Sequence, residues 1–186
     1  MDADVGKRVE VATSADLSAV RAVYADGRAR QREQRSTVWP EFRDEAILAE
    51  IEAKHLFRVV DGGTLAGIFS VAYEDEAIWG EHERGAHIYL HRIVRAAGHH
   101  GRGIVDAVLE WAHAHCRALG RAGLRIDTWA NNAPLIAYYE RLGFALVESR
   151  RTGKDARLPA HYHGLEFALL EQACGGDGTL SRSRNE

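Results

Sequence analysis

Cysteine is scarce: the 186 residues hold two, Cys116 and Cys174, one in a helical pattern and one in a polar tail. Neither spacing suits a thiolate metal site or a dithiol redox motif. No apolar run approaches the roughly 18 residues that a membrane span requires. The opening MDADVGKRVEVATS is acidic and has no apolar core, so no signal peptide is expected. Positive charge is not in excess: 24 Lys and Arg against 27 Asp and Glu give a net charge of -3, which removes the electrostatic reason to expect nucleic acid or an anionic membrane as partner. Internal repeats and domain-splitting linkers are also missing. What is there is 46% hydrophobic and 27% charged, the profile of a soluble globular protein long enough to bury one core. The expectation is a single domain over residues 1–170, a disordered Gly-, Ser- and Arg-rich tail over 171–186, and a reduced, cytoplasmic enzyme or binding domain.

Periodicity supplies the elements. RVEVA alternates as a strand, and Thr13 with Asp16 forms a capping box for a helix from about Ser14 to Arg32. A second helix is expected from about Glu41 to Ala53. HLFRVV, the turn Asp61-Gly62-Gly63 and TLAGIFSVAY read as a hairpin. The acidic stretch EDEAIWGEHERG reads as an irregular loop before the strand HIYLHRIV, His87 to Val94. A helix from about Gly103 to Leu119, the strand LRIDTW, a helix in NNAPLIAYYERLGF and the strands FALVES and HGLEFALL complete the chain. The order β-α-α-β-β-β-α-β-α-β-β centres on one βαβ unit, whose crossover is right-handed and whose strands are parallel. The fold class is α/β (α+β): a mixed sheet of about seven strands with helices on both faces.

The chemistry concentrates at AAGHHGRGIV, a glycine-bearing turn between a strand's carboxyl end and a helix N-terminus. Open α/β sheets place ligands there, and backbone N–H groups with the helix dipole favour an anion. A nucleotide-binding P-loop would need Lys and Ser or Thr after the last glycine, and Ile104-Val105 supplies neither. A dinucleotide fingerprint would need a third glycine where Asp106 stands; Asp127, 24 residues beyond Gly103, is the one feature in its favour.

HGRGIV followed by an amphipathic helix, and Asn132 to Phe144 in the pattern N-x-x-x-x-x-x-Y-x-x-x-G-F, resemble the GNAT superfamily of acyl-CoA-dependent N-acyltransferases. The family turn Q/R-x-x-G-x-G/A falls on His100-Gly101-Arg102-Gly103-Ile104-Val105, with His100 in place of Gln or Arg and Val105 in place of Gly or Ala. The resemblance implies acetyl-CoA as co-substrate. It places the pyrophosphate on the turn, the pantetheine arm beside the backbone of Ile93, Val94 and Arg95, and a further cofactor contact on Asn132. It also assigns the Val94 N–H to the thioester oxygen and Tyr139 to the general acid. Read without the resemblance, Tyr139 is first a core aromatic, on one helical face with Leu135 and Leu142, and Asn132 is an N-cap. His91, sharing a strand face with Tyr89 and Ile93 by period two, is the local candidate for the base that deprotonates an acceptor amine; a buried structural histidine is its alternative. Glu74, Asp75, Glu76, Glu81 and Glu83 in the acidic loop are further candidates. Arg28 to Arg35 reads as a solvated helix end. His113 and His115 do not form a metal pair, and His161 and His163 could share a strand face. The implied function is transfer of acetyl to a primary amine of a small molecule or peptide, in a chain that resembles many homodimers. A non-catalytic acyl-CoA-binding module and a nicotinamide-dependent enzyme are the alternatives.

Overall fold

The computed structural model describes residues 6–99, 103–154, 157–158 and 160–174. Seven strands form one sheet in the order β1-β2-β3-β4-β5-β7-β6. They are β1 (Arg8–Val11), β2 (Leu56–Asp61), β3 (Thr64–Ala72), β4 (His87–Arg95), β5 (Gly123–Trp129), β6 (Ala145–Arg151) and β7 (Glu166–Ala173). All neighbours are antiparallel except β4 and β5, the two strands of the βαβ unit. The helices are α1 (Leu17–Glu33), α2 (Asp44–Glu52), α3 (Glu76–Trp79), α4 (Ile104–Ala118) and α5 (Ala133–Arg141).

Both faces of the sheet are covered, as a mixed sheet with buried central strands demands. On one face α4 and α5 set Val108, Ala112 and Tyr139 against Phe69, Ile88, Leu90 and Ile126. On the other, α1 and α2 bring Val20, Tyr24 and Ile47 onto Leu56, Ile68 and Val94. Gly27 lets α1 approach closely, since a Cβ there would stand 3.0 Å from Val94 Cγ1. The capping box at Thr13 forms as expected, but it opens a short 3-10 turn, Ser14–Asp16, that leads into α1.

Three expectations are corrected. The acidic stretch is not irregular: Asp75 Oδ1 accepts from Ile78 N, α3 follows, and a 3-10 turn runs over Gly80–His82. The reason is apolar: Trp79 is fully buried beside Tyr89 and Leu169, a burial that contributes on the order of 3 kcal/mol. His161 and His163 share no strand face, because His161 lies in the 3-10 turn Ala160–Tyr162 and β7 starts only at Glu166. Finally, β7 continues past residue 170 to Ala173, and the next residue, Cys174, is buried and disulfide-bonded to Cys116 at the end of α4. Two positions that share no motif in sequence are joined because β5 carries β7 under that helix.

Candidate active site

β4 and β5 are paired from His87↔Gly123 to Leu90↔Ile126 and part beyond that point. The parting coincides with a bulge in β4: Ser70 faces His91 but Ile68 faces Val94, so two residues of β4 oppose Phe69 alone. Arg92 holds the bulge with φ +50°, a left-handed conformation unusual for a side chain of this size. Its guanidinium donates to Glu50 Oε1 at 2.6 Å and to Ser70 Oγ at 3.0 Å, and lies over the rings of Tyr24 and Phe42.

The extra residue changes which groups face where. Tyr89 and His91 do share a face, with rings stacked at 6.4 Å, but Ile93 packs on the opposite side among the α4 residues. The period-two grouping of His91 with Ile93 is therefore wrong by one residue. The main chain is shifted as well. Ala96 N–H donates to Ala66 O at 2.8 Å, and Val94 faces Ile68 two residues along the same ladder. The main-chain groups of Val94 thus point to β3, and alternation turns those of Ile93 and Arg95 toward the gap left by β5. Val94 is not the free N–H donor that the resemblance implied, although its side chain lines the gap.

That gap is a cleft of about 500 Å³. Ile93, Val94, Arg95, Gly103, Ile104, Val105, Asn132 and Tyr139 all line it, so the described members of the expected cofactor set converge. His100, Gly101 and Arg102 lie outside the described residues. Gly103 caps α4 with φ +62°, and the helix N-terminus opens on the cleft with Asp106 in its first turn. Arg30, read from sequence as part of a solvated helix end, instead reaches across to Arg95 O at 2.6 Å and lines the same wall. Burial, then the charge of Arg95, lowers Arg30 from its ordinary pKa. The two arginines give this end of the cleft positive charge, and the α4 N-terminus gives it unpaired N–H groups. These are the features a pyrophosphate needs.

Asn132 takes the cap position, its Oδ1 accepting from Leu135 N at 3.3 Å, while also facing the cleft. Tyr139 is a core aromatic, 7% exposed between α4 and α5, and it also lines the cleft. Burial, then the neighbouring Tyr138 and Asp127, pushes its phenol well above the usual range. It can hold a proton until a strong base develops beside it.

A second chamber of about 320 Å³ adjoins the cleft, sharing Trp39, Arg92, Asp127, Thr128 and Trp129 with it. Three titratable side chains meet on its wall. His91 Nδ1 lies 3.1 Å from Asp127 Oδ1, and Nε2 lies 3.5 Å from Asp75 Oδ2. Burial alone would lower His91, but the Asp127 hydrogen bond and the two carboxylate charges outweigh it and leave the imidazole above its ordinary pKa. Burial, with the Asp127 charge adding to it, pushes Asp75 up to about 6 despite the attraction of His91. Of the other acidic-loop candidates, Glu83 accepts from the Tyr89 hydroxyl and the Asp75 N–H, a structural role. Asp75 carries no sequence motif; its one legible signal is the Asp-x-x pattern that caps α3.

These features match known proteins. The model of the acetyltransferase (GNAT) family matches residues 19–144. YesJ of Bacillus subtilis (strain 168), described as an uncharacterized N-acetyltransferase, is 26% identical over 111 residues; the match spans 58% of this chain and 62% of that protein's length. Among solved structures, a GNAT-family acetyltransferase from Listeria monocytogenes superposes with a TM-score of 0.69 at 21% identity, covering 90% of this chain and 94% of its own. The structure of yncA from Salmonella typhimurium with its cofactor acetyl-CoA gives 0.64 at 15% identity, covering 92% and 96%. The chain belongs to the GNAT acetyltransferase family, which uses acetyl-CoA as acyl donor.

Proposed function

We propose that this protein transfers acetyl from acetyl-CoA to a primary amine by direct attack within the ternary complex. The observation that carries the reading is the meeting of cleft and chamber at Asp127, with Tyr139 on the cleft side and His91 on the chamber side. The cleft residues match a long, partly anionic donor: Arg30, Arg95 and the α4 N-terminus for its phosphates, and the main chain of Ile93 and Arg95 for strand-like pairing with its arm. The Ile93 N–H takes the role the resemblance gave to Val94, hydrogen-bonding the thioester oxygen as charge grows on it.

His91, with Asp75 and Asp127, draws a proton from the acceptor ammonium. That step is needed because an amine of pKa about 10 is roughly one part in a thousand neutral at pH 7. Both ring nitrogens of His91 face carboxylates, so it accepts a proton only by passing one on, and the three side chains work as a unit. Tyr139 then protonates the departing thiolate. Its raised pKa makes that transfer late, when the sulfur carries most of the charge.

The test is thiol release across amino acids, peptides, polyamines and arylalkylamines, with Tyr139→Phe beside the native enzyme. Removing one hydroxyl is expected to lower kcat by about 100-fold while acetyl-CoA binds as before. A protein that binds acetyl-CoA but releases no thiol with any amine is a binding module, and the reading fails.

A further inference from the structure

Arg30 occupies an atom that the acyl donor needs. The pair Gly67↔Arg95 lies between two pairs whose main chains face each other, Ile68 with Val94 and Ala66 with Ala96, so by alternation the Arg95 carbonyl turns away from β3 and across the gap left by β5. An arm that pairs with β4 like an added strand would place an N–H there, since neighbouring strands lie about 4.8 Å apart and bridge that distance through such carbonyls. In the structure the place is taken: Arg30 Nη2 donates to Arg95 O at 2.6 Å, and Arg30 lines the same cleft. A carbonyl accepts two donors, but only one can lie along the ladder direction.

The guanidinium also lacks an anion. Among the described residues no ion pair joins it to a carboxylate: Asp26, one turn earlier on α1, uses Oδ2 for the Ala97 N–H at 2.9 Å, and Glu33 attracts it only from further off. Of the charges that act on it, the repulsion of Arg95 is the largest. A half-buried cation is thus held beside a like charge and against a neutral oxygen. A phosphate improves that arrangement twice, by offsetting both positive charges and by accepting more than one N–H from the planar fork. The N-terminus of α4 opens on the same cleft, so the anion has a second set of donors within it.

Resting on the acetyltransferase reading above, we propose that Arg30 is an exchange contact: it closes the donor-binding edge of β4 by bonding Arg95 O, and it swings to the donor's phosphates when they arrive, which opens that oxygen to the arm. The two halves of one ligand are thereby coupled. An anion at the α4 N-terminus helps an uncharged arm to bind, and an arm without phosphates meets a closed edge. Compounds that carry the arm and thioester alone are disfavoured, although every group of the reacting end is present in them. The exchange breaks one charge-assisted hydrogen bond and forms others, with no covalent step.

NMR titration of the native protein with S-acetylpantetheine, which has the arm and thioester but no phosphate, tests this without turnover. Millimolar inorganic pyrophosphate is expected to tighten its binding about 3-fold relative to chloride of the same ionic strength, because coupled sites help each other by the same factor. Unchanged binding, or binding weakened by pyrophosphate, overturns the proposal. Arg30→Met keeps the aliphatic stem and loses the fork. The variant is expected to bind S-acetylpantetheine about 3-fold tighter than native without pyrophosphate, to ignore pyrophosphate, and to bind acetyl-CoA about 10-fold more weakly. Arm binding that weakens in the variant would show that Arg30 only props the strand, and arm binding equal to native that it only attracts phosphate; either result overturns the exchange. So does an arm that binds neither protein at millimolar concentration. Thiol release with amines is measured separately: coupling with no release defeats the acetyltransferase reading and leaves the exchange standing. Release without coupling does the reverse.

Discussion

His91 and Asp127 are the first opposed residues beyond Leu90↔Ile126, the last bonded pair of β4 and β5, and their side chains meet at 3.1 Å where the main chains have separated. The ion pair thus sits at the vertex of the splayed strands, between donor cleft and acceptor chamber. Asp127→Asn removes the charge that raises His91, leaves its hydrogen bond only a neutral amide acceptor, and removes one of the charges that raise Asp75. The acid limb of kcat/KM is therefore expected to move to lower pH by on the order of one unit, with a lower plateau. A pH–rate profile checks it; an unmoved limb would show that some other group titrates.

Asp75 gives a stability signature of unusual sign. Its folded pKa of about 6 stands above the ordinary aspartate value of 3.8, so between those limits the native state holds a proton that the unfolded state has lost. Stability then falls as pH rises through that window, and above it the ionised Asp75 costs about 3 kcal/mol. Asp75→Asn keeps a side-chain oxygen for the Ile78 cap and removes the charge. The variant is expected to be more stable than native at pH 7.5, with the advantage vanishing near pH 4, as read by urea unfolding at the two pH values.

The Cys116–Cys174 disulfide closes a separation of 58 residues between α4 and the end of β7. A loop of that size corresponds to about 4 kcal/mol of restricted unfolded-state entropy. Reduction, or Cys174→Ser, is expected to lower Tm by roughly 8–15 °C. A Tm unchanged by reductant would mean that the bond adds nothing to stability.

Asp106 stands in the first turn of α4, where its charge suits the helix dipole but opposes an anion. Asp106→Asn is expected to tighten acetyl-CoA binding about 3-fold, measurable by calorimetry at low salt. Increased ionic strength should erase the gain, because the side chain is exposed.

The element order, the helices on both faces of the sheet, the Asn132 cap and the place of Tyr139 on an apolar helical face were legible because each follows from local periodicity, a cap signal or the handedness of the βαβ unit. Arg30 was not: a basic helix end looks the same whether it is solvated or bent over a neighbouring strand, and only the nearness of Arg95 O decides. Asp75 was hidden in an acidic run because charge patterning does not reveal that Trp79 pulls that run into the core. His91 was found as a residue but misplaced in its company. HIYLHRIV alternates without a glycine or proline to betray a bulge, and the bulge is held by contacts from α1, α2 and β3 that no local window contains.

Arg92 therefore acts as a counting error on which the site depends. Were the bulge ironed out with Arg92 in ordinary extended backbone, an unbroken two-residue rhythm along β4 would bring the Val94 amide round to the cleft and rotate those of Ile93 and Arg95 into the sheet. Every side chain would still be in the sequence, yet the donor-binding edge would present the opposite set of main-chain groups. In this strand, reactivity is a matter of parity, and one arginine in an uncomfortable conformation keeps it odd.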